Sequence, residues 1–111
     1  MIVSTMNDLP GHTVQQVLGE VFGLTVRSRH VGSQLGAVAK SLVGGELRGM
    51  TKALVESRHE AQQRLVEEAA ARGADAILVM RFDATEIGGG WQEICAYGTA
   101  VRLEASERSP T

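Results

Sequence analysis

The chain is predicted to be α+β, a small antiparallel β-sheet packed with one long and one short helix. Three observations lead there. Residues 46–72 carry a helical repeat, residues 75–86 alternate along a strand, and a glycine triplet joins that strand to a second β-rich run over residues 91–104. At 111 residues the chain fits one domain by the usual prior of roughly 100 to 200 residues. The domain is expected to span residues 1–104, with 105–111 a flexible C-terminal tail that is small, polar and proline-ended.

The opening Met1-Ile-Val-Ser-Thr5 is β-branched and runs into Asn7-Asp8-Leu9-Pro10-Gly11, whose residues favour turns. A first short strand therefore ends there. Residues 13–26 fit two patterns, because Val14, Val17, Leu18, Val21 and Leu24 also make a helical stripe. Gly19 and Gly23 decide for bent or bulged β structure, since each weakens a helix interior by about 1 kcal/mol relative to alanine.

Over residues 34–43, Leu35, Val38, Ala39, Leu42 and Val43 share one face after a Ser33 N-cap, and Gly44-Gly45 ends the segment. This predicts a short amphipathic helix. The longer repeat places Leu47, Met50, Leu54, Ala61, Leu65 and Ala69 at steps of three and four. Lys52 with Glu56, Glu60 with Arg64, Arg64 with Glu68 and Glu68 with Arg72 fall four apart and mark the solvent face. Gly73 closes the helix as a left-handed cap.

The stretch Gly73-Ala-Asp-Ala-Ile-Leu-Val-Met-Arg-Phe-Asp83 is the most informative in the chain, and it announces packing without announcing a reaction. Strict alternation puts Ala76, Leu78, Met80 and Phe82 on one face and Ile77, Val79, Arg81 and Asp83 on the other. Both faces from Ile77 to Phe82 are rich in apolar residues. They need cover on both sides, which is expected to come in part from a neighbouring subunit. Gly88-Gly-Gly90 supplies a turn tolerant of positive φ, and the whole reads as an antiparallel hairpin.

Composition narrows the function. A net charge of −2 and a pI near 5.9 give no footprint for nucleic acid, which needs clustered Lys and Arg. Cys95 is the single cysteine, so no intramolecular disulfide forms, in keeping with a reducing compartment. There is no basic-then-apolar leader and no apolar run of membrane-spanning length. A cytoplasmic protein with no membrane or nucleic-acid partner is expected. With few aromatic residues, the core must come from Val, Leu, Ile and Ala.

The order of signals then resembles a known family. Val21-Phe-Gly-Leu-Thr-Val26, Arg29-His-Val-Gly32, Val43-Gly-Gly-Glu46, a helix with Leu54, Arg58, Ala61 and Leu65, Gly73-Ala-Asp-Ala76, Arg81-Phe-Asp83 and Ala96-Tyr-Gly-Thr-Ala-Val101 together resemble the YbjQ family (UPF0145) across about residues 3–104. The resemblance implies a ring-shaped homopentamer of small α+β subunits. It also brings a conjectural heavy-metal-binding label, and no accepted catalytic residues. Val79 and Met50 stand where Gly and Tyr are more usual in such chains.

Candidate chemistry is sparse. Arg27-Ser-Arg-His30 is a compact basic patch suited to an anionic ligand, with Glu93 as a nearby candidate. Its ordinary alternative is a set of salt bridges with Glu20, Glu86 or Glu93. Weak metal candidates are Cys95, His30 and His59, which share no ligand spacing with one another or with His12. Ring symmetry would multiply one ligand into several around an axis, so a soft divalent metal is kept as a cofactor. Glu56 and His59 have the Glu-x-x-His spacing of carboxylate di-metal bundles, but such sites need two copies plus two further Glu. Gly88-Gly-Gly90 lacks the Lys-Ser or Lys-Thr of a phosphate loop. Asp83, Glu86 and Glu93 flank the hairpin turn without a nucleophile or base to complete a hydrolytic site. The chain is accordingly expected to be a non-enzymatic homo-oligomeric binding or scaffold protein. Alternatives are a metal-binding protein with ligands shared across subunits, and a small enzyme at subunit boundaries around Arg29, His30 and Glu93.

Overall fold

The computed structural model describes residues 1–28 and 47–104. The short helix expected over residues 34–43 and the tail 105–111 lie outside the described residues. The elements run β1 (Ile2–Val3), β2 (Val14–Ser28), α1 (Leu47–Ala71), β3 (Ala76–Gly88) and β4 (Trp91–Leu103). The strands form one four-stranded sheet in the order β1-β3-β4-β2.

The sheet is mixed, which corrects the antiparallel expectation. β2 and β3 both pair antiparallel with β4, but β1 pairs parallel with β3 through Ile2 opposite Ala76 and Val3 opposite Ile77. A parallel pair needs a long crossover. Here β2 and α1 supply it, and no local pattern in five N-terminal residues reveals which way they will pair. Leu9-Pro10-Gly11-His12 then makes a tight turn. The His12 amide donates to the Leu9 carbonyl at 2.9 Å and Gly11 has φ +84°, the geometry of a type II turn with proline at its second position.

β2 is the bulged strand that its glycines predicted. Its register against β4 slips between Val14 and Gln16 and again between Val17 and Gly19, then runs unbroken to Ser28 opposite Trp91. From Glu20 onwards Val21, Gly23 and Thr25 point to the helix and are buried, while Phe22, Leu24 and Val26 point away and are exposed.

The buried helix stripe is Ser57, Ala61, Leu65 and Ala69, four residues apart at each step. Leu54, expected in it, is half exposed. Further along, the helix and β2 approach each other closely. A Cβ on Gly23 would collide with the Ala61 carbonyl oxygen and the Leu65 amide nitrogen and would lie 2.8 Å from the Arg64 carbonyl carbon. The helix backbone thus rests directly on β2, a seat that needs glycine below and small residues above. Arg72, Gly73 and Ala74 end the helix in a Schellman motif, with the Gly73 amide bonding the Ala70 carbonyl and the Ala74 amide bonding the Ala69 carbonyl.

Alternation in β3 breaks at Val79, whose φ is +53°. The register moves from Leu78 opposite Thr99 to Arg81 opposite Tyr97, so three steps on β3 meet two on β4. The extra residue flips the faces. Ile77, Met80 and Phe82 consequently share the helix side with Val21, Leu65, Ile94, Ala96 and Ala100, whereas Ala76 and Leu78 join Val101 and Leu9 on the other side. Ile77, Leu78 and Met80 are therefore buried within one chain, by α1 on one side of the sheet and by the N-terminal segment on the other. Gly98 sits against the bulge: a Cβ there would lie 2.7 Å from Ile77 Cγ2 and 2.9 Å from the Leu78 carbonyl oxygen. That accounts physically for a glycine in Ala96-Tyr-Gly-Thr-Ala-Val101. The hairpin closes at Gly88 opposite Trp91 through Gly89 and Gly90, both at positive φ as a type I′ turn demands.

Two substitutions test these contacts by urea unfolding. Gly23→Ala should lower stability by about 1–3 kcal/mol, because the helix must lift from β2. Val79→Gly should raise it by roughly 1 kcal/mol, because a β-branched residue held in left-handed conformation costs about 1–3 kcal/mol and glycine does not, less its own extra chain entropy.

Candidate functional site

The two sides of the sheet differ in kind. On the side away from α1, Phe22, Leu24 and Val26 stand opposite Tyr97, Cys95 and Glu93 of β4, and beyond these lie Arg81, Asp83 and Thr85 of β3. Phe22 is 53 % exposed, Leu24 38 % and Val26 50 %. The N-terminal segment covers the Ala76, Leu78 and Val101 end of this face through Leu9, and its Thr5 carbonyl accepts from Arg81 Nη1 at 3.1 Å. The remaining apolar stripe on β2 has no cover from the described residues. Ile87 and Trp91, both about half exposed, extend the apolar surface at the hairpin tip.

Cys95 lies in the middle of that face, half buried and in no disulfide. Burial pushes its thiol above the ordinary value, and the carboxylates of Glu93, Asp83 and Glu20 push it the same way. The protonated form is the one the site favours, so Cys95 is a poor nucleophile and must lose a held proton before ligating a metal.

On the helix side, Arg27 pairs with Glu60 of α1 at 3.3 Å. Buried Thr25 donates from Oγ1 to Glu60 Oε1 at 3.4 Å, and Arg64 meets the same carboxylate at 3.3 Å. The Nε of Arg27 is buried with no hydrogen-bond partner among the described residues. These side chains are partly exposed, so each ion pair contributes at most about 1 kcal/mol.

The sequence candidates therefore separate. Arg27 faces α1, whereas Glu93 lies on the opposite face, because Glu93 stands across from Val26 and neighbouring residues alternate. Arg29 and His30 lie outside the described residues. Cys95 and His59 are on opposite sides of the sheet, His59 exposed on the helix beside Glu56. Asp83 and Glu93 share the outer face, while Glu86, opposite Gln92, falls on the other. Among the described residues no group of three or more His, Cys, Asp or Glu could hold a metal ion, and no helix is long and apolar enough to cross a membrane. The apolar stripe of β2 was not singled out from the sequence. Its signal was there in Val21 to Val26, which is apolar at nearly every position and so needs cover on both faces.

These features define a class: a small α+β domain with a mixed sheet, one long helix on its inner face in the described residues, and an apolar outer face on its edge strand. The chain belongs to the YbjQ family, whose model matches residues 1–104 and carries the description "Putative heavy-metal-binding". It is 70 % identical over 101 residues to the UPF0145 protein of Streptomyces coelicolor, covering 91 % of this chain and 95 % of the relative. The UPF0145 protein of Acidothermus cellulolyticus is 63 % identical over 103 residues, covering 93 % and 95 %. That of Thermotoga petrophila is 44 % identical over 104 residues, covering 94 % and 98 %. A crystal structure of a DUF74 family protein of unknown function from Pediococcus pentosaceus shares the fold, with a TM-score of 0.60 at 17 % identity over 94 % of this chain and 98 % of that one.

The held proton on Cys95 gives a measurable outcome. Alkylation by iodoacetamide should be slow at pH 7.5 and should accelerate with pH beyond the range of an ordinary thiol. Glu93→Gln should speed it at fixed pH, since removing a nearby negative charge lowers the thiol pKa. An unchanged rate would show that Glu93 does not contribute to the reactivity.

Proposed function

We propose that this chain is a non-enzymatic homo-oligomeric binding or scaffold protein whose copies meet on the outer face of β2. The observation that carries this reading is the stripe of Phe22, Leu24 and Val26, apolar, contiguous and exposed beside half-buried Cys95 and Tyr97. Monomeric proteins seldom leave such a stripe to water, and covering each side chain contributes on the order of 1 kcal/mol for the half that is still exposed. The family resemblance favours a closed ring of five subunits. In a ring each subunit presents two different surfaces, so the β2 face would meet another part of its neighbour rather than itself. The hairpin tip with Ile87 and Trp91 is apolar enough to be that part.

A second reading is metal binding, favoured by the family description and by the position of Cys95 between Asp83 and Glu93 on one face. One thiol per subunit would need ligands from neighbouring copies, and metal uptake would have to release the proton that the site holds. Native mass spectra recorded before and after exposure to copper, zinc and nickel would separate the readings. Metal in a fixed ratio to subunits, lost in the triple variant Cys95→Ser, His30→Ala, His59→Ala, would establish it.

For assembly, Phe22→Asp should weaken subunit association at least tenfold by sedimentation velocity while leaving the far-UV spectrum native. Leu78→Asp should unfold the subunit instead, because Leu78 is buried within its own chain. A wild-type protein that is monomeric at micromolar concentration would overturn the scaffold reading.

A further inference from the structure

Among the described residues β2 is an edge strand, fifteen residues long, the kind of element to which another strand adds by backbone pairing. Its outward groups can be identified. Gly88 and Trp91 close the hairpin, so Trp91 and every second residue of β4 bond to β3, while Gln92, Ile94, Ala96, Gly98 and Ala100 bond to β2. Their partners on β2 include Val21, Gly23 and Thr25. By alternation, Glu20, Phe22, Leu24 and Val26 direct their backbone groups at the open edge.

Two of those four outward carbonyls are already occupied. Arg64 donates from Nη1 to the Leu24 carbonyl at 2.6 Å, and Arg72 donates from Nη1 to the Glu20 carbonyl at 3.1 Å. Each guanidinium is steadied by the carboxylate one turn earlier, Arg64 by Glu60 at 3.3 Å and Arg72 by Glu68 at 3.0 Å. The unit Glu-x-x-x-Arg thus occurs twice, eight residues apart, on a helix that runs antiparallel to β2. Eight helical residues rise about 12 Å and four strand residues about 13 Å, so the two repeats keep step with each other.

We infer that Arg64 and Arg72 form a clamp that closes the open edge of β2 to strand addition, leaving its outer face as the only route by which β2 joins another copy. An incoming strand would need its amides to bond the Leu24 and Glu20 carbonyls, and it meets two positive side chains there instead. The clamp acts whatever the size of the wild-type assembly, which serves as the reference.

The test is Arg64→Ala/Arg72→Ala in the full chain, with alanine chosen to keep the helix. By sedimentation velocity the variant should form species at least several-fold heavier than the wild type and growing with concentration. Its circular dichroism should stay native, and amide exchange at Phe22, Leu24 and Val26 should slow at least tenfold in those species. A variant of wild-type mass overturns the clamp, as does a precipitate in which those three amides exchange as fast as in the wild type. Should the double variant fail to fold, Arg64→Met/Arg72→Met, which keeps both apolar stems but removes both donors from the edge carbonyls, is measured the same way. Growth beyond wild-type mass with slowed exchange supports the clamp, and wild-type mass overturns it.

Discussion

The contact on which the structure depends is the seating of α1 on β2 at Gly23, where helix and strand backbones approach too closely for any side chain between them. The fully buried helix residues among those described, Ser57, Ala61, Leu65 and Ala69, lie along this seat, all but Leu65 being small. The same approach brings Glu60 to Thr25 and Arg27, and Arg64 and Arg72 to the edge carbonyls of β2. A helix held further out by a larger residue would reach none of these groups. Burial and the polar contacts are therefore consequences of one steric fit.

The sheet is dressed unequally as a result. Its inner face is sealed by α1, and one end of its outer face by the N-terminal segment through Leu9. The uncovered part of the outer face carries an apolar stripe on β2, Phe22, Leu24 and Val26, with exposed Arg81, Asp83 and Thr85 on β3 beyond it. Around that stripe the electrostatics are acidic, with Glu93, Asp83 and Glu20 near enough to hold the Cys95 proton in place. A surface of this kind suits burial against protein better than chemistry in water.

The bulge at Val79 links local strain to the packing of both faces. One extra residue in left-handed conformation moves Met80 and Phe82 to the helix side and lets Leu78 face the N-terminal segment. Gly98 across the sheet leaves room for it. Here valine occupies a backbone conformation natural to glycine, which matches the one position in the strand where the family resemblance led one to look for glycine. Arg58 sits over the ring of the displaced Phe82, 5.2 Å from its centre, giving that half-buried aromatic a cover that alternation alone would not assign.

By itself the sequence determined the identity and order of the described elements, because helix repeat, caps and turns act between residues close in the chain. Ala61, Leu65 and Ala69, the Gly73 cap, the glycine hairpin turn and the bulged β2 were legible for that reason. The parallel pairing of β1, the flipped faces after Val79, the exposure of Leu54 and the separation of Arg27 from Glu93 were decided only by tertiary structure. Each depends on a partner distant in sequence, a β4 register, a helix seat or the opposite side of a sheet, and no local pattern encodes such a partner. The exposed stripe of β2 belongs to both. Its apolar residues could be read directly, but which of them the helix would cover was settled by where Gly23 let the helix rest.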